Sequence, residues 1–532
     1  MGFYLNNKSK VSLYKSEMQR PYFVDKTLIL SELFPLIESG NSHICITRPR
    51  RFGKTVMANM IGAFFEKGED TKPMFDQLKI SKNPECEKHR NKHDVIYIDF
   101  SKMPEDCDSY DQYINRIINR LKKDLIREYP DADYEEDDAL WDILDCIFDM
   151  YDGQKFIFVM DEWDCVFHKA FITREDQQKY ISFLSNLLKD HGYVELSYMT
   201  GILPIAKYSS GSELNMFLEY TMASEEKFNE YFGFTESEVD DLFQKYLEIC
   251  ETPMITREQL RLWYDGYATK AGERMYNPRS VVTALSNNNI GNYWTSSGPY
   301  DEIFYYIKNN VADVKADLAL MVSGEAVQAK VREYAAASMN LSTKNEIFSA
   351  MVVYGFLSYE NGRVRIPNKE LMEKFDEMLQ KEESLGYIYR LAKESDQMLK
   401  ATKTMEKILS YVHDTETPIL SYNHETELSA IVNLAYLSAR DQYHIEREDK
   451  AGKGFVDFIF YPYDRAADGV ILELKVDKTP EYAISQIKEK QYALRFKGKL
   501  AEKQQYTGRI LAVGINYDKE TKQHRCKVEE IK

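Results

Sequence analysis

Short apolar runs that end in polar residues alternate with helical patterns along the first 200 residues. Four runs have the length and the β-branched and aromatic content of buried strands: residues 44–46, 94–100, 155–161 and 195–201. Helical spacing of apolar residues predicts helices near 28–37, 56–65 and 110–129. Strands that alternate with helices predict a parallel sheet, so the N-terminal part of the chain is expected to be an α/β domain.

The first apolar run leads into a basic loop that closes with Gly53-Lys54-Thr55 and opens a helix. Strand, loop, Gly-Lys-Thr and helix is the layout of a P-loop, in which backbone N–H groups and the helix N-terminus bind phosphate. The lysine reaches the terminal phosphates, and the threonine hydroxyl is a ligand for Mg²⁺. The predicted ATP-binding stretch is Arg48, Pro49, Arg50, Arg51, Phe52, Gly53, Lys54, Thr55 and Val56. Arg48 stands where the usual motif has its first glycine; a simple basic helix start is the alternative interpretation, which the preceding strand disfavours.

The third apolar run ends in Asp161-Glu162. In P-loop NTPases such a strand delivers its Asp to the magnesium site, and the next Glu polarises the attacking water. The run at 94–100 lies between the P-loop and this acidic pair, which fits the NTPase branch with a strand inserted between the two. Thr200, at the end of the fourth run, is expected to sense the terminal phosphate, although a simple turn there is the alternative.

The middle of the chain is mostly helical. A helix is predicted over 345–356, followed by a short strand, a turn at Asn361-Gly362 and a second short strand. A helix followed by a small hairpin is consistent with a winged-helix-like module, which either binds DNA or packs as a lid on the ATPase. Packing is favoured, because lysine and arginine do not cluster on this helix. Residues 381–407 are expected to form a polar connector.

Near the C-terminus, two predicted strands at 454–461 and 470–476 are joined by a turn. Side chains alternate along a strand, so Glu473 and Lys475 share one face, and Asp457 reaches the same edge from the partner strand. Two carboxylates and a lysine are costly to bury together without a function. The set suits a magnesium-dependent phosphodiesterase, in which Asp457 and Glu473 hold Mg²⁺ and Lys475 positions water or neutralises charge.

Neighbouring helices offer further candidates for this second site. Glu427 or Glu425, on the preceding helical stretch, is a candidate additional ligand. Gln486, on the following helix, is placed to touch substrate or metal-bound water. The alternative interpretation is a degenerate nuclease fold that is retained only for packing or binding.

Several motifs occur in one order along nearly the whole chain: Phe23-Val-Asp-Lys26, Arg48-Pro-Arg-Arg-Phe-Gly-Lys-Thr55, Asp161-Glu-Trp-Asp164, Thr200-Gly-Ile-Leu-Pro204, Phe232-Gly-Phe-Thr-Glu236, Trp263-Tyr-Asp-Gly-Tyr267, Tyr276-Asn-Pro278 and the Asp457…Glu473-x-Lys475 pattern. Together they resemble bacterial AAA-ATPase-like proteins that carry a C-terminal PD-(D/E)xK nuclease-like domain. In that family the first loop position is commonly Arg, as here. Trp163 stands where the family more often has Tyr, and Val456 replaces the nominal Pro.

The resemblance implies three parts. Residues 1–235 are expected to form a P-loop AAA-ATPase-like domain with a parallel sheet, and residues 236–400 a helical, winged-helix-like middle. Residues 401–532 are expected to form an α/β, restriction-endonuclease-like domain.

Composition narrows the function classes. The 532 residues carry a net charge of −17, which argues against a uniformly basic coat for nucleic acid but leaves room for a local basic groove. Seven cysteines without a CxxC pair fit free thiols in a reducing compartment. The first residues lack the pattern of a signal peptide, and no apolar run approaches the ~20 residues of a membrane span. The expected location is therefore the cytoplasm, with no membrane partner.

The leading hypothesis is an ATP-binding and ATP-hydrolysing protein coupled to a Mg²⁺-dependent nuclease-like domain. Its cofactors are ATP and Mg²⁺, and its partner is nucleic acid, with DNA favoured over RNA. The alternative is an ATP-switched signalling or scaffold protein whose nuclease-like domain is inert. The sequence identifies neither an arginine finger nor the oligomeric state.

Overall fold

The chain forms two compact units in a computed structural model. The first comprises Met1–Ala312 with Gln328–Leu371, and the second comprises Asp313–Val327 with Met372–Lys532. The structure describes residues 2–135, 137–205, 213–223, 225–294, 314–322, 324, 326–331, 341, 343–379, 439, 442–451, 454–464, 466–493, 508–521 and 523–531. The first unit contains the first predicted part and much of the middle one, so the division at residues 235 and 400 stays a prediction.

A five-stranded parallel sheet organises the first unit. Its strands are β1 (Ser42–Thr47), β2 (Asp94–Asp99), β3 (Phe156–Asp161), β4 (Val194–Gly201) and β5 (Leu218–Tyr220), in the order β2-β3-β4-β1-β5. The four predicted strands are confirmed. A strand does lie between the P-loop strand β1 and the acidic strand β3, as the predicted NTPase branch requires, but it is β4; the run at 94–100, strand β2, lies outside β3.

Helices cover both faces of this sheet, because every strand residue of β3 is apolar up to its final aspartate. Phe156, Phe158 and Met160 belong to one core cluster and Ile157 and Val159 to the other. The helices are α1 (Ser9–Met18), α2 (Ile29–Ser39), α3 (Lys54–Phe65), α4 (Lys72–Phe75), α5 (Cys86–His89), α6 (Tyr110–Glu128), α7 (Leu140–Met150) and α8 (Arg174–Leu188). Short 3-10 helices occupy Lys79–Lys82, Trp163–His168 and Asn229–Tyr231.

The middle region is mostly helical, as predicted. Its elements are α9 (Glu236–Ile249), α10 (Arg257–Tyr264), β6 (Tyr267–Ala268), β7 (Arg274–Met275), α11 (Pro278–Asn287), α12 (Val314–Val322), β8 (Val327–Gln328), α13 (Lys344–Tyr354), β9 (Ser358–Glu360), β10 (Arg363–Arg365) and α14 (Lys369–Leu379).

The predicted helix and hairpin of the middle region are confirmed. Strands β9 and β10 pair antiparallel around Asn361 and Gly362, both of which have positive φ angles. At the end of α13, a Cβ on Gly355 would lie 2.6 Å from Pro49 Cβ. The module therefore packs against the P-loop, which agrees with the favoured interpretation, and the DNA-binding alternative stays a prediction.

The second unit contains a five-stranded mixed sheet. Its strands β11 (Tyr443–Ala451), β12 (Gly454–Pro462), β13 (Gly469–Val476), β14 (Ile510–Asp518) and β15 (Gln523–Ile531) follow one another in the sheet. Only β13 and β14 pair in parallel, and α15 (Pro480–Glu489) lies between them in sequence. A Cβ on Gly514 would lie 2.2 Å from Pro480 O, so only glycine allows α15 to approach β14 this closely. The predicted connector at 381–407 and both Glu425 and Glu427 lie outside the described residues.

Within the described ranges, the longest apolar helical stretches fall short of what a bilayer crossing requires.

Candidate functional site

The P-loop has the local geometry that phosphate binding requires. Strand β1 ends at Thr47 and α3 begins at Lys54, and between them Arg51 and Gly53 adopt left-handed backbone conformations with φ of 67° and 89°. Lys54 Nζ donates hydrogen bonds to the carbonyl oxygens of Arg48 and Pro49, each at 3.1 Å. The loop therefore folds around the lysine ammonium and holds it beside the free N–H groups of the α3 N-terminus.

A cavity of about 760 Å³ opens above this loop. It is lined by residues 50–57 together with Asp99, Asp161 and Glu162, by aromatic and aliphatic side chains that include Tyr22, Phe23 and Phe234, and by further charged residues such as Lys26 and Arg279. Cationic and apolar groups that line one cavity suit the phosphates and the base of a nucleotide. Of the predicted ATP-binding residues, Arg50 to Val56 and Asp161 border the cavity, whereas Arg48, Pro49 and Thr200 do not.

Arg48 has a different environment from the one that its place in the motif suggested. Its guanidinium donates to the carbonyl oxygens of Thr47 and Tyr220, both at 2.7 Å, and to Asn229 Oδ1 at 2.9 Å. It also lies over the Phe232 ring, and burial lowers its pKa to about 9. The side chain thus joins β1 to β5 and to the 3-10 helix at Asn229–Tyr231, and only the Arg48 backbone faces the P-loop lysine.

Asp161 fits the role of a magnesium ligand. It is fully buried, and its Oδ1 has no hydrogen-bond partner among the described residues. Burial, and next the neighbouring Glu162 and Asp99, raise its pKa to about 7, while a hydrogen bond with Thr55 opposes the shift. An unpartnered carboxylate oxygen beside the P-loop threonine is the donor set that Mg²⁺ prefers.

Glu162 follows Asp161 in a left-handed backbone conformation, with φ 52° and ψ 45°. For a residue other than glycine this conformation is uncommon and costs about 1 kcal/mol or more, and such residues concentrate at functional sites. Its side chain borders the cavity next to Asp161. This is the position that a water-polarising carboxylate needs.

Thr200 is buried on β4 opposite Ile46, and its Oγ1 has no partner among the described residues. The sequence did not predict that Asp164 contacts the segment that follows Thr200. Asp164, which is 1% exposed, accepts hydrogen bonds from the backbone N–H groups of Ile202 and Leu203. A Cβ on Gly201 would lie 2.4 Å from Asp164 Oδ1. Asp164 and Gly201 both belong to motifs that the sequence analysis identified, but nothing in the sequence indicated that the two motifs contact each other.

The second unit brings its predicted residues together. Asp457 Oδ2 accepts a hydrogen bond from the backbone N–H of Leu474 at 2.7 Å, beside Glu473. Lys475 Nζ donates to Glu473 Oε1 at 3.1 Å, and Gln486 Nε2 donates to the same oxygen. The register of β12 and β13, continued by one residue beyond the Phe458–Leu472 pair, sets Asp457 opposite Glu473, and Gln486 reaches Glu473 from α15.

Glu473 is the buried acid of this cluster. Burial, and next the neighbouring Asp457, raise its pKa to about 7, and Oε2 has no partner among the described residues. Two adjacent carboxylates, one with an unpartnered buried oxygen, fit a divalent cation. The sequence did not predict Asn516 as a residue of this site. It pairs with Lys475 across the parallel strands, and its Oδ1 has no partner among the described residues. No local pattern marks it, because that pairing crosses α15. Glu427, the predicted extra ligand, lies outside the described residues.

Comparisons with known proteins find a different family model for each of the two units. Residues 14–210 match the family model described as a predicted AAA-ATPase, and residues 425–526 match that of the PD-(D/E)XK nuclease superfamily. A curated relative, an uncharacterised protein in the vnfD 5′ region of Azotobacter chroococcum mcd 1, is 25% identical over 282 residues. That match covers 52% of this chain and 51% of the relative, so the chain spans about half the length of the curated relative.

Two solved structures show only weak similarity. The Walker-type ATPase PABY2304 of Pyrococcus abyssi aligns with 65% of this chain and 93% of its own, at a TM-score of 0.37 and 9% identity. The ORC2 protein of Aeropyrum pernix aligns with 66% of this chain and 93% of its own, at a TM-score of 0.33 and 11% identity.

Proposed function

Because the chain carries a predicted AAA-ATPase domain at residues 14–210 and a PD-(D/E)XK nuclease superfamily domain at residues 425–526, we propose that it is an ATP-dependent nuclease. The first unit binds and hydrolyses Mg²⁺-ATP. The second unit cleaves phosphodiester bonds in nucleic acid, with DNA as the favoured substrate.

One observation supports both halves of the proposal. Each unit places a buried carboxylate, Asp161 or Glu473, beside a second carboxylate and near a lysine, and one oxygen of that carboxylate has no partner in the described part of the chain. Burying such a group without a counter-ion is unfavourable, so each site is prepared for a cation and a phosphate. Nucleotide hydrolysis and phosphodiester cleavage both need that combination.

In the first unit, Lys54 and the N–H groups of α3 bind the phosphates, and Thr55 and Asp161 hold Mg²⁺. Bound Mg²⁺ supplies charge neutralisation at the phosphates. Glu162 orients the attacking water by accepting a proton from it. Aromatic side chains of the same cavity, such as Phe23 and Phe234, would bind the base.

In the second unit, Asp457 and Glu473 would hold the metal, which would supply acidification of a water and charge stabilisation at the phosphate. Lys475 is 6% exposed and lies next to Glu473, where it neutralises developing negative charge on the phosphate. Gln486 donates to Oε1 of Glu473, which leaves Oε2, without a partner among the described residues, available to a cation.

The decisive experiment measures cleavage and ATP hydrolysis together. Plasmid, single-stranded DNA and RNA are incubated with Mg²⁺ or Mn²⁺, with and without ATP. The expected result is cleavage that is lost in Glu473→Gln and retained in Glu481→Gln, a change on an exposed carboxylate of the same unit. Glu162→Gln should bind ATP normally and hydrolyse it about a hundredfold more slowly. Intact substrates in every wild-type reaction would refute the nuclease half.

A second candidate function is an ATP-controlled switch with an inert second unit. The observation that favours it is the bonding of the P-loop to the middle region: Arg50 O accepts from Trp294 Nε1 at 3.2 Å and from Asn277 Nδ2 at 3.4 Å. Nucleotide binding at the loop would then alter contacts of the middle region directly. ATP hydrolysis without cleavage of any substrate would favour this function over the nuclease.

A further inference from the structure

A second cavity, of about 330 Å³, lies in the first unit beside the C-terminal end of β2. Its wall combines three aromatic rings with three cationic side chains: Phe3, Tyr4, Tyr97, Lys10, Lys102 and Arg116. It is separate from the P-loop cavity, although Asp99 borders both. None of the cationic residues belongs to the nucleotide site, so their clustering needs an explanation of its own.

Lys10 is the unusual member of this cavity. It is 3% exposed, and within the described ranges its ammonium forms no ion pair, although the charges of Asp99, Asp161 and Glu66 act on it from farther away. The ammonium lies over the face of the Tyr97 ring, whose centroid is 3.5 Å from Nζ. Burial, and next the charge of Lys102, lower the pKa of Lys10 to about 8. A ring face offsets only part of the cost of burying an ammonium, so an anion bound beside Lys10 would stabilise its charged form.

The net charge of the residues that line this cavity indicates the charge of the ligand that would balance it. Lys10, Lys102 and Arg116 contribute three positive charges, and Asp99, which lies 3.6 Å from Lys102 Nζ, contributes one negative charge. Two positive charges remain. A dianion balances them, and the planar fork of an arginine suits a phosphate oxygen pair.

The rings specify the rest of the ligand. Phe3 and Tyr4 meet edge to face with centroids 4.8 Å apart, and Tyr97 forms the floor beneath Lys10. Such walls accept a flat ring by stacking or edge contacts. We propose that this cavity is a second ligand site of the first unit, which binds a small aromatic phosphate monoester through Lys10, Lys102 and Arg116.

Tyr97 connects this site to the nucleotide site. Its ring contacts Lys10, and its hydroxyl donates to Asp161 Oδ2 at 3.5 Å. A ligand that draws Lys10 away from the ring therefore alters the surroundings of the predicted magnesium ligand. This coupling rests on the proposed ATPase function, whereas binding of the phosphate ester does not.

The experiment is calorimetric titration of the full chain with phenyl phosphate. A Lys54→Ala background disables the P-loop, so that binding there is excluded. The expected result is saturable one-to-one binding that Lys10→Met and Arg116→Gln each weaken at least tenfold. Lys92→Met, on an exposed lysine outside the cavity, should leave the affinity unchanged. Inorganic phosphate should bind at least tenfold more weakly than phenyl phosphate, and benzyl alcohol should not bind.

Three results would overturn the proposal: no saturable binding of phenyl phosphate in the Lys54→Ala background, equal affinity in Lys10→Met, or equal affinity for benzyl alcohol. Methionine keeps the apolar stem of Lys10, so Lys10→Met should unfold at the same temperature as the parent or above it. If it misfolds, Arg116→Gln decides, because Arg116 lies half-buried at the rim. ATP titration of the Lys10→Met single variant shows whether the P-loop binds ATP. Failure of the phosphate-ester proposal can therefore be distinguished from failure of the proposed ATPase function.

Discussion

Replacing Arg48 by methionine separates the two roles that this residue could have. If the side chain bound nucleotide, Arg48→Met would weaken ATP binding and leave the fold intact. The contacts of Arg48 with Thr47, Tyr220 and Asn229 lead to the opposite expectation. The variant should lose stability and, while folded, bind ATP with nearly the parent affinity.

The magnitude follows from the acceptors that are left behind. Methionine retains most of the apolar volume but leaves two carbonyls and one amide oxygen without their donor. Each buried unsatisfied group costs about 1–3 kcal/mol. Relief of the buried guanidinium, whose pKa burial lowers to about 9, offsets part of that cost. A net loss of about 3 kcal/mol in the free energy of unfolding is expected.

All four tryptophans, at 141, 163, 263 and 294, belong to the first unit, so tryptophan fluorescence follows the unfolding of that unit alone. With an m value of about 3 kcal/mol/M in urea, the midpoint should fall by about 1 M. Titration with a fluorescent ATP analogue in the absence of urea gives the affinity, and Lys54→Met serves as the contrasting variant, stable but unable to bind. An unchanged midpoint together with a tenfold weaker affinity for ATP would refute this account of Arg48.

Three further predictions concern other groups. Gly201→Ala should destabilise the first unit by about 1–3 kcal/mol, because its Cβ would lie 2.4 Å from Asp164 Oδ1, whereas Gly291→Ala, which meets nothing closer than 3.4 Å, should cost less than about 0.5 kcal/mol in the same fluorescence assay. Tyr97→Phe should raise the Mg²⁺ concentration needed for ATP binding about twofold to fivefold, since one long hydrogen bond to Asp161 is lost; no change in that titration would contradict the contact. In the metal-free protein the pKa of Glu473 is raised to about 7, above its unfolded value of 4.5, so the folded state holds the extra proton and this group's contribution to stability is lost as pH rises from about 4.5 through 7. Mn²⁺ affinity measured by calorimetry should correspondingly fall below pH 7, and Glu473→Gln should abolish both dependences.

Local pattern was sufficient to predict the P-loop and the strand hairpin of the second unit. Lys54 follows a strand and opens a helix, and the two-residue alternation around Glu473 places Lys475 on the same face. These features depend on residues that are close in sequence. Their geometry is therefore dictated by secondary structure, which short-range spacing of apolar and polar residues already determines.

The order of strands and the direction of Arg48 depend on distant partners. Strand β4 pairs with β1 across about 150 residues, and the acceptors for Arg48 include Tyr220 and Asn229, more than 170 residues away. From the sequence alone, the side chain of a basic residue in a phosphate-binding loop could either face the nucleotide or turn into the protein core. Only the position of β5 and the following 3-10 helix decides that this guanidinium turns inward, and no local spacing encodes that.

The two candidate metal sites share a physical feature that neither motif states. Each places its principal carboxylate at a strand position so enclosed that the pKa rises to about 7, for Asp161 through burial and then Glu162, and for Glu473 through burial and then Asp457. Near neutral pH, a proton and a cation therefore compete for the same oxygen in both units. Cation binding should release protons at either site, and each fold is less stable with its carboxylate ionised and uncompensated than with the cation bound. The same burial that makes an ionised carboxylate costly at these two positions would favour a small, highly charged cation there, which distinguishes them from the many exposed acids of this chain.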